Sequence, residues 1–409
     1  MTLAPSRQNK HLTFRANMGV GRHGWLRLTP AYSVGLVRDR VQALPPGSTI
    51  LDPFSGTGTT PLAAAELGQT GIAVDVNPFL QWLGTAKFAN YSDANLLAAR
   101  AAVQRIVVDA KRLGNNHDLW TPNLFKIEKW WSESNLAVLR NVRAGIDAEP
   151  LGPTRDLLEV ALCRVLIALS NAAFNHQSMS FKEGDASAFD DLQFARGLQT
   201  YEDAAHSIIE SAALDLEGSA RVLLGDSRAL PEDIGLVDAV VTSPPYVNRM
   251  SYIRELRPYM YWTRHLDVAT DASELDWRAI GGTWGTATSK LNSWRPSETG
   301  TPVDAEMDDV RRLIAANGSK SGPLLANYVG KYFHDMWDHF RSVSGHVRSG
   351  GTVSYIIGNS TFSGHIVPAE VWYGSMLEAA GFEQVKIEQI RKRNSNKALY
   401  EYDVTAIKP

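Results

Sequence analysis

The spacing of apolar positions along the chain alternates between two periods. Residues 48 to 75 read STILDPFSGTGTTPLAAAELGQTGIAVD. A short apolar run predicts a strand, the glycine-rich stretch a turn, and the alanine-rich stretch a helix stopped at Gly68; the last run predicts a second strand ending at Asp75. From about 85 to 216 apolar residues recur at three- and four-residue spacing, as in NLLAARAAVQRIVVDAKRLG, LAVLRNVRAGI, DLLEVALCRVLIALSNAAF and DAAHSIIESAALDLEG, which predicts a helical insertion. Strand character returns in RVLLGD at 221 to 226, LVDAVVTS at 236 to 243 and TVSYIIGNS at 352 to 360, then in QVKIEQI and YDVTAI. Strands interleaved with helices predict an α/β chain on a mainly parallel sheet, whose ligands collect beyond the carboxyl ends of its strands.

Composition narrows this picture. The chain has 409 residues, 44% hydrophobic and 21% charged, without low-complexity tracts, so a sizeable core is expected. The start, MTLAPSRQNKHLTFRAN, lacks an apolar signal core, and the most apolar stretch carries Glu159 and Arg164; a cytoplasmic protein that does not span a membrane is expected. A single cysteine excludes an intrachain disulfide and a Cys-rich zinc site, and Cys163 falls in a helical stretch where packing is its expected role. A net charge of -3 excludes a uniformly basic nucleic-acid binder, so any DNA site must be a local patch. Residues 266 to 325 are rich in Gly, Ser, Thr and acids, with Trp277, Trp284 and Trp294 spaced through them, and are expected to form a long loop.

Two strand ends carry candidate chemistry. In DPFSGTGTTP, Gly56 and Gly58 let the backbone approach a ligand closely, with Thr60 as the expected helix N-cap and Pro61 at the first helical position. No Gly-Lys-Ser/Thr follows, so this is not a phosphate P-loop, and Pro61 replaces the third glycine of the dinucleotide fingerprint. Asp75, at the tip of the next strand, can accept both hydroxyls of a ribose, which leaves an adenosine without phosphates as the expected ligand. Asp226 ends another strand and could accept from an adenine amino group or simply cap a turn.

The other strand end is VDAVVTSPPYVNRM, residues 237 to 250. Each proline fixes φ near about -65° and removes a backbone donor, so Ser243-Pro244-Pro245-Tyr246 forms a stiff ledge. Ser243 Oγ and the Pro244 carbonyl can both accept from one NH2 group while the Tyr246 ring offers a stacking face, a pocket suited to a flipped nucleobase. Two acceptors on the hydrogens of an exocyclic amine favour a pyramidal nitrogen and free its lone pair for attack.

LDPFSGTGTT resembles the cofactor motif, and TSPPY the catalytic motif, of the DNA amino-methyltransferases that use S-adenosylmethionine. Serine in the first position is more similar to N4-cytosine than to N6-adenine enzymes. GRHGWLRLTPAYSVGLV resembles the family's helix over the methionine end of the cofactor, implicating Thr29 and Pro30, and RKRNSNKALYEYDVTAI resembles its terminal hairpin near the target base. The resemblance implies a Rossmann-like methyltransferase fold, mainly parallel with a terminal antiparallel hairpin. By the same resemblance Asp52, Phe54, Gly56 and Gly58 would hold the methionine and backbone side of the cofactor, Asp75 its ribose and Asp226 its adenine, with Thr59 and Asn77 also among the cofactor residues; Ser243, Pro244, Pro245 and Tyr246 would hold the base.

The implied activity is site-specific methylation of N4 of a flipped cytosine in double-stranded DNA, by direct in-line transfer without a metal. N6-adenine methylation is the alternative within the family; RNA or protein N-methylation and a non-catalytic nucleic-acid module are more distant readings. C5-cytosine chemistry would need a Pro-Cys nucleophile, whereas Cys163 follows Leu162. The expected setting is restriction-modification or DNA marking, with a cognate restriction endonuclease or other defence-system component as a conceivable partner and no membrane involved.

Nothing substantial follows the last hairpin, so target recognition is expected from the insertions. The expected division is 1–84 and 217–265 for the cofactor and catalytic parts, 85–216 and 266–325 for helical and loop-rich insertions that could read the target, and 326–409 for the C-terminal part. RMSYIRELRPYMYWTRH, residues 249 to 265, interleaves Arg249, Arg254, Arg257 and Arg264 with Tyr252, Tyr259, Tyr261 and Trp262. Its arginines suit phosphates and guanine edges and its rings suit unstacked bases, unless the helix buries those rings. RKRNSNK is a second basic cluster, with Arg393, Asn396 and Lys397 as DNA contacts under the resemblance.

Overall fold

The computed structural model describes residues 14–28, 32–173, 180–181, 188–248, 251–297, 299–393 and 398–409. Seven strands make one sheet: β1 (Thr49–Asp52), β2 (Thr70–Asp75), β3 (Ser219–Leu224), β4 (Val237–Thr242), β5 (Val347–Gly358), β6 (Glu383–Lys392) and β7 (Tyr400–Ile407). Their spatial order is β6-β7-β5-β4-β1-β2-β3. β3, β2, β1, β4 and β5 pair in parallel, and β7 is antiparallel to both of its neighbours. This strand order is that of the Rossmann-like methyltransferase fold, with the expected terminal hairpin. The direction of winding reverses between β1 and β4, so the crevice beyond their carboxyl ends is the switch point where ligands bind in such sheets.

Helices cover both faces: α1 (Val34–Gln42), α2 (Thr59–Glu66), α3 (Pro78–Phe88), α4 (Asp93–Leu113), α5 (Glu133–Asp147), α6 (Pro153–Ala168), α7 (Asp191–Ala212), α8 (Tyr252–Trp262), α9 (Ala269–Arg278), α10 (Thr286–Ser293), α11 (Asp304–Ala315), α12 (Gly322–Ser344) and α13 (Ala369–Ala379). The helical insertion follows its apolar spacing. Ser92 and Asn95 close a capping box on α4, and Ser132 caps α5. Cys163 is fully buried in α6, in the same core as Trp131, Val142 and Ile208. That core also takes in Phe79 of α3 and Tyr259, Met260 and Trp262 of α8, so the insertion packs on the helix that follows the ledge.

The segment expected as a long loop is instead largely helical. Leu291, Met307 and Ile314 bury the inner sides of α10 and α11 against α12 and the sheet, while Leu275 of α9 joins the core of the insertion and α8. Burial of these few apolar positions overrides a composition poor in helix formers. The tryptophans act as anchors here: Trp277 lies under Lys290 and Lys331, and Trp294 packs on His334 and Arg311. No helix among the described residues is long and apolar enough to cross a membrane.

Helix ends leave carbonyls without intrahelical partners. Arg22, 3% exposed, collects four of them near the ends of α3 and α7, donating to the carbonyls of Lys87 (2.9 Å), Ala89 (2.5 Å), Ala212 (2.9 Å) and Leu214 (2.7 Å). It thereby ties the cofactor side of the sheet to the insertion. Arg22→Ala should strand these acceptors and lower unfolding stability by about 3 kcal/mol or more, measurable by urea denaturation.

Candidate active site

β1 and β4 run side by side, with Ile50 opposite Ala239 and Leu51 opposite Val240. The glycine turn and the proline ledge therefore emerge together. Their link is Asp52, which accepts from Thr242 Oγ1 at 2.6 Å and from the Phe54 amide at 3.1 Å through Oδ1, while Oδ2 faces the Tyr32 hydroxyl at 3.3 Å. Tyr32 in turn meets the hydroxyl of Thr60, which donates to the Val241 carbonyl at 3.0 Å. Burial pushes the Asp52 carboxyl up to about 6, against the pull of those hydrogen bonds.

Three expectations change at this point. Asp52 is 0% exposed and stands behind the cleft, which Pro53 and Phe54 line, so it latches two strands where a cofactor ligand was expected. Gly58 also faces away: with φ at 75°, a Cβ there would lie 2.8 Å from Cζ of Phe88, so the glycine admits a packed ring. Thr60 is not the cap of α2; Gly58 holds that position, and the Thr60 hydroxyl is spent on β4.

The remaining expected cofactor residues within the described chain converge. Phe54, Gly56, Thr59, Asp75, Asn77 and Asp226 line one cleft with Ser243 and Pro245, enclosing about 920 Å³ including its open mouth. Asp75 accepts from the Gly56 amide at 3.0 Å and the Asn77 amide at 2.9 Å. Burial raises its carboxyl to about 7; these bonds work against that shift and the nearby Asp52 adds to it. Asn77 caps α3 through the Phe79 amide at 3.0 Å. Asp226 is held by Arg228, with Nε at 3.0 Å and Nη2 at 2.6 Å, and Arg228 continues to Asp335 at 3.1 Å. Burial alone would raise the Asp226 carboxyl, but Arg228 holds it below its ordinary range.

Other residues at the cleft carry no pattern in the sequence. Ser55 lines it with a buried hydroxyl that has no hydrogen-bond partner, as a binding site awaiting a polar ligand would. Lys87, fully buried, donates to the Thr57 carbonyl at 2.6 Å and braces the turn; burial lowers its ammonium to about 7. His339 packs on Phe54 at 4.7 Å between centroids and bonds Ser227 O and Tyr355, with burial lowering it to about 4, so its ring is neutral.

The ledge is fixed from behind. The Tyr332 hydroxyl donates to the Pro245 carbonyl at 2.6 Å and pairs with Tyr373 at 2.7 Å. Tyr246 donates to Glu401 at 2.7 Å, and Arg391 grips the same carboxylate at 2.6 and 3.2 Å. The guanidinium of Arg393 lies 4.8 Å from the Tyr246 ring centroid and donates to the Asn359 carbonyl at 2.9 Å, so a face expected to be open for stacking carries a cation.

On α8 the rings of Tyr259, Tyr261 and Trp262 are core residues, whereas Arg254 and Arg257 are half-buried at the surface. Arg257 lies 4.6 Å from the Trp284 ring, and Arg264 pairs with Asp147 at 2.6 Å. Thr29, Pro30, Arg249, Asn396 and Lys397 lie outside the described residues. Among the described residues no group of three or more His, Cys, Asp or Glu could hold a metal ion.

No protein-family model matches the chain. It is similar to the Type II methyltransferase M.BsoBI of Geobacillus stearothermophilus, 23% identical over 434 residues, covering 95% of this chain and 84% of that protein. It is also similar to the Type II methyltransferase M.AvaI of Nostoc sp. and of Anabaena variabilis, 23% identical over 294 residues, covering 62% of this chain and 56% of those proteins. Among solved structures, TrmN from Thermus thermophilus aligns over 92% of this chain and 48% of its own, at 11% identity and a TM-score of 0.29. The rRNA methyltransferase aviRa from Streptomyces viridochromogenes aligns over 98% and 94%, at 13% identity and a TM-score of 0.31. At such scores the strand order, and not superposition, carries the fold. The chain is thus similar over nearly its whole length to a Type II methyltransferase, and its strand order is that of the Rossmann-like methyltransferase fold.

Proposed function

We propose that the protein is a site-specific DNA methyltransferase that methylates the exocyclic N4 of a flipped cytosine in double-stranded DNA, as the modification arm of a restriction-modification system. The observation that carries this reading is that Ser243 and Pro245 of the proline ledge line one cleft together with Asp75. Its relatives are Type II methyltransferases, which favours DNA as the substrate.

The cleft suits S-adenosylmethionine. Asp75 offers a carboxylate to ribose hydroxyls, Asp226 keeps acceptor capacity beyond its bonds to Arg228, and Ser55 has a hydroxyl to satisfy. When bound, this cofactor supplies an electrophilic methyl group. Ser243 Oγ and the Pro244 carbonyl accept from the amino group of the base. A paired base cannot bring its amino group to such a recess, so it must leave the stack. Arg254, Arg257 and Arg393, with Arg249, Asn396 and Lys397, supply phosphate contacts, while residues 85–216 and 266–325 read the target.

Incubation with labelled S-adenosylmethionine and unmethylated DNA, followed by nucleoside mass spectrometry, tests the reading. N4-methyl-2′-deoxycytidine is expected; N6-methyl-2′-deoxyadenosine would overturn the base while keeping the ledge, and labelled RNA with unlabelled DNA would overturn the substrate. Ser243→Ala should lower kcat roughly a hundredfold with little change in cofactor affinity. A parental rate in that variant would remove the ledge from the chemistry.

The pH dependence of cofactor binding follows from Asp75. Its free carboxyl stands at about 7, and ribose hydroxyls favour the ionised form, so binding should release a proton. Affinity should therefore rise as pH increases from about 6 to about 8 and level off above. Calorimetry should show this slope in the parent and its loss in Asp75→Asn.

A further inference from the structure

Three consecutive residues at the end of α9 each reach a different part of the cleft's surroundings. Asp276, buried, accepts from Ser251 Oγ at 2.5 Å and from the Trp284 amide at 2.7 Å, and Ser251 is the N-cap of α8, the helix that follows the ledge. The Trp277 ring centroid lies 4.7 Å from Nζ of Lys331, next in sequence to the Tyr332 that holds the Pro245 carbonyl. The Arg278 carbonyl accepts from Nη2 of Arg228 at 2.9 Å. Arg278, Ala279 and Ile280 then line the same cleft as Asp226 and Ser243. The chain turns away at Gly281, where an added Cβ would stand 3.8 Å from Cβ of Pro245.

Arg228 is the hub of this arrangement. Its Nε and Nη2 donate to the two oxygens of Asp226 at 3.0 and 2.6 Å, and its Nη1 donates to Asp335 at 3.1 Å. Nη2 is thus shared between the Asp226 carboxylate and the Arg278 carbonyl. A guanidinium is planar and its donors are fixed relative to one another, so it sets the mutual orientation of whatever it bridges. Asp335 is gripped in turn by Lys331, which returns the network to Trp277. The acid beyond β3 and the end of α9 are therefore held as one piece.

We propose that Arg228 is a positioning residue that sets the end of α9 as a wall of the cofactor recess, so that the segment 266–325 supplies part of the S-adenosylmethionine site and is ordered by cofactor binding. This rests on the cleft being the place of that cofactor. A ligand that meets Asp226 also meets Arg278, Ala279 and Ile280, and each bond of Arg228 couples the two sides. Arg228 touches neither the ledge nor the reacting groups, so its effect falls on how the cofactor is held.

Calorimetric titration of the full chain with S-adenosylmethionine, alongside steady-state methylation of DNA, tests this. Arg228→Lys keeps a cation near Asp226 and Asp335, but one ammonium cannot bridge two acids and a carbonyl in the guanidinium's geometry. Its Kd and KM for S-adenosylmethionine should rise roughly tenfold, with kcat at saturating cofactor changed less than about twofold. A parental Kd, or a loss confined to kcat, would overturn the proposal; a purely structural arginine would lower unfolding stability and leave the Kd of the folded variant alone. Should Arg228→Lys fail to fold, amide hydrogen exchange on the parent decides. S-adenosylmethionine should slow exchange over residues 277–284 as well as in the turn at Gly56. Protection of the Gly56 turn with none over 277–284 would overturn the wall. The two readings separate on the parent: no binding of S-adenosylmethionine would sink the cleft as its site, whereas a parent that binds, with the same Kd in Arg228→Lys, sinks only the positioning role.

Discussion

The hydrogen bond from Thr242 to Asp52 joins positions 190 residues apart at the ends of β1 and β4, and the geometry of the site hangs on it. Parallel strands leave their ends side by side but do not fix how the two following loops diverge. A buried carboxylate does so, because each of its acceptors must be met from a particular direction. Thr242 answers from one strand, the Phe54 amide from the turn and Tyr32 from the N-terminal segment. The turn is then braced by Asp75 in front and by Lys87 behind.

The ledge depends on a different set of partners. Two prolines make it stiff, yet stiffness gives shape without location. Location comes from the C-terminal third: Tyr332 on α12 holds the Pro245 carbonyl, and Glu401 on β7 holds Tyr246. The antiparallel hairpin therefore does more than close the edge of the sheet, since one of its inward carboxylates reaches the ledge at Tyr246.

The βαβ unit, the helical insertion and both loop motifs were legible because each is a local pattern: a run, a period, or turn residues at strand ends. Facing was not legible. Asp52, Gly56, Gly58 and Asp75 share one motif region, but only Gly56 and Asp75 line the cleft, and Phe88, which makes Gly58 necessary, is 30 residues on. The helices within 266–325 were masked by Gly, Ser and Thr between sparse apolar anchors such as Leu291 and Met307. Tyr32, His339, Arg391 and Glu401 act alone from distant segments, and a lone polar residue has no spacing to betray it. Glu401 left one faint trace, an acid in a strand between two tyrosines.

The insertion between β2 and β3 shares its core with α8, through Trp131 against Trp262 and the contacts of α6 with α8. A segment that only decorated the domain could be exchanged between relatives as a cassette, with its own surface and its own stability. Here one tryptophan cluster serves both the insertion and the helix leading away from the ledge, and close packing transmits any change of volume across it. On the proposed reading of the insertion as the target-reading part, specificity is thus not a graftable part: a new insertion would have to arrive with a rebuilt α8.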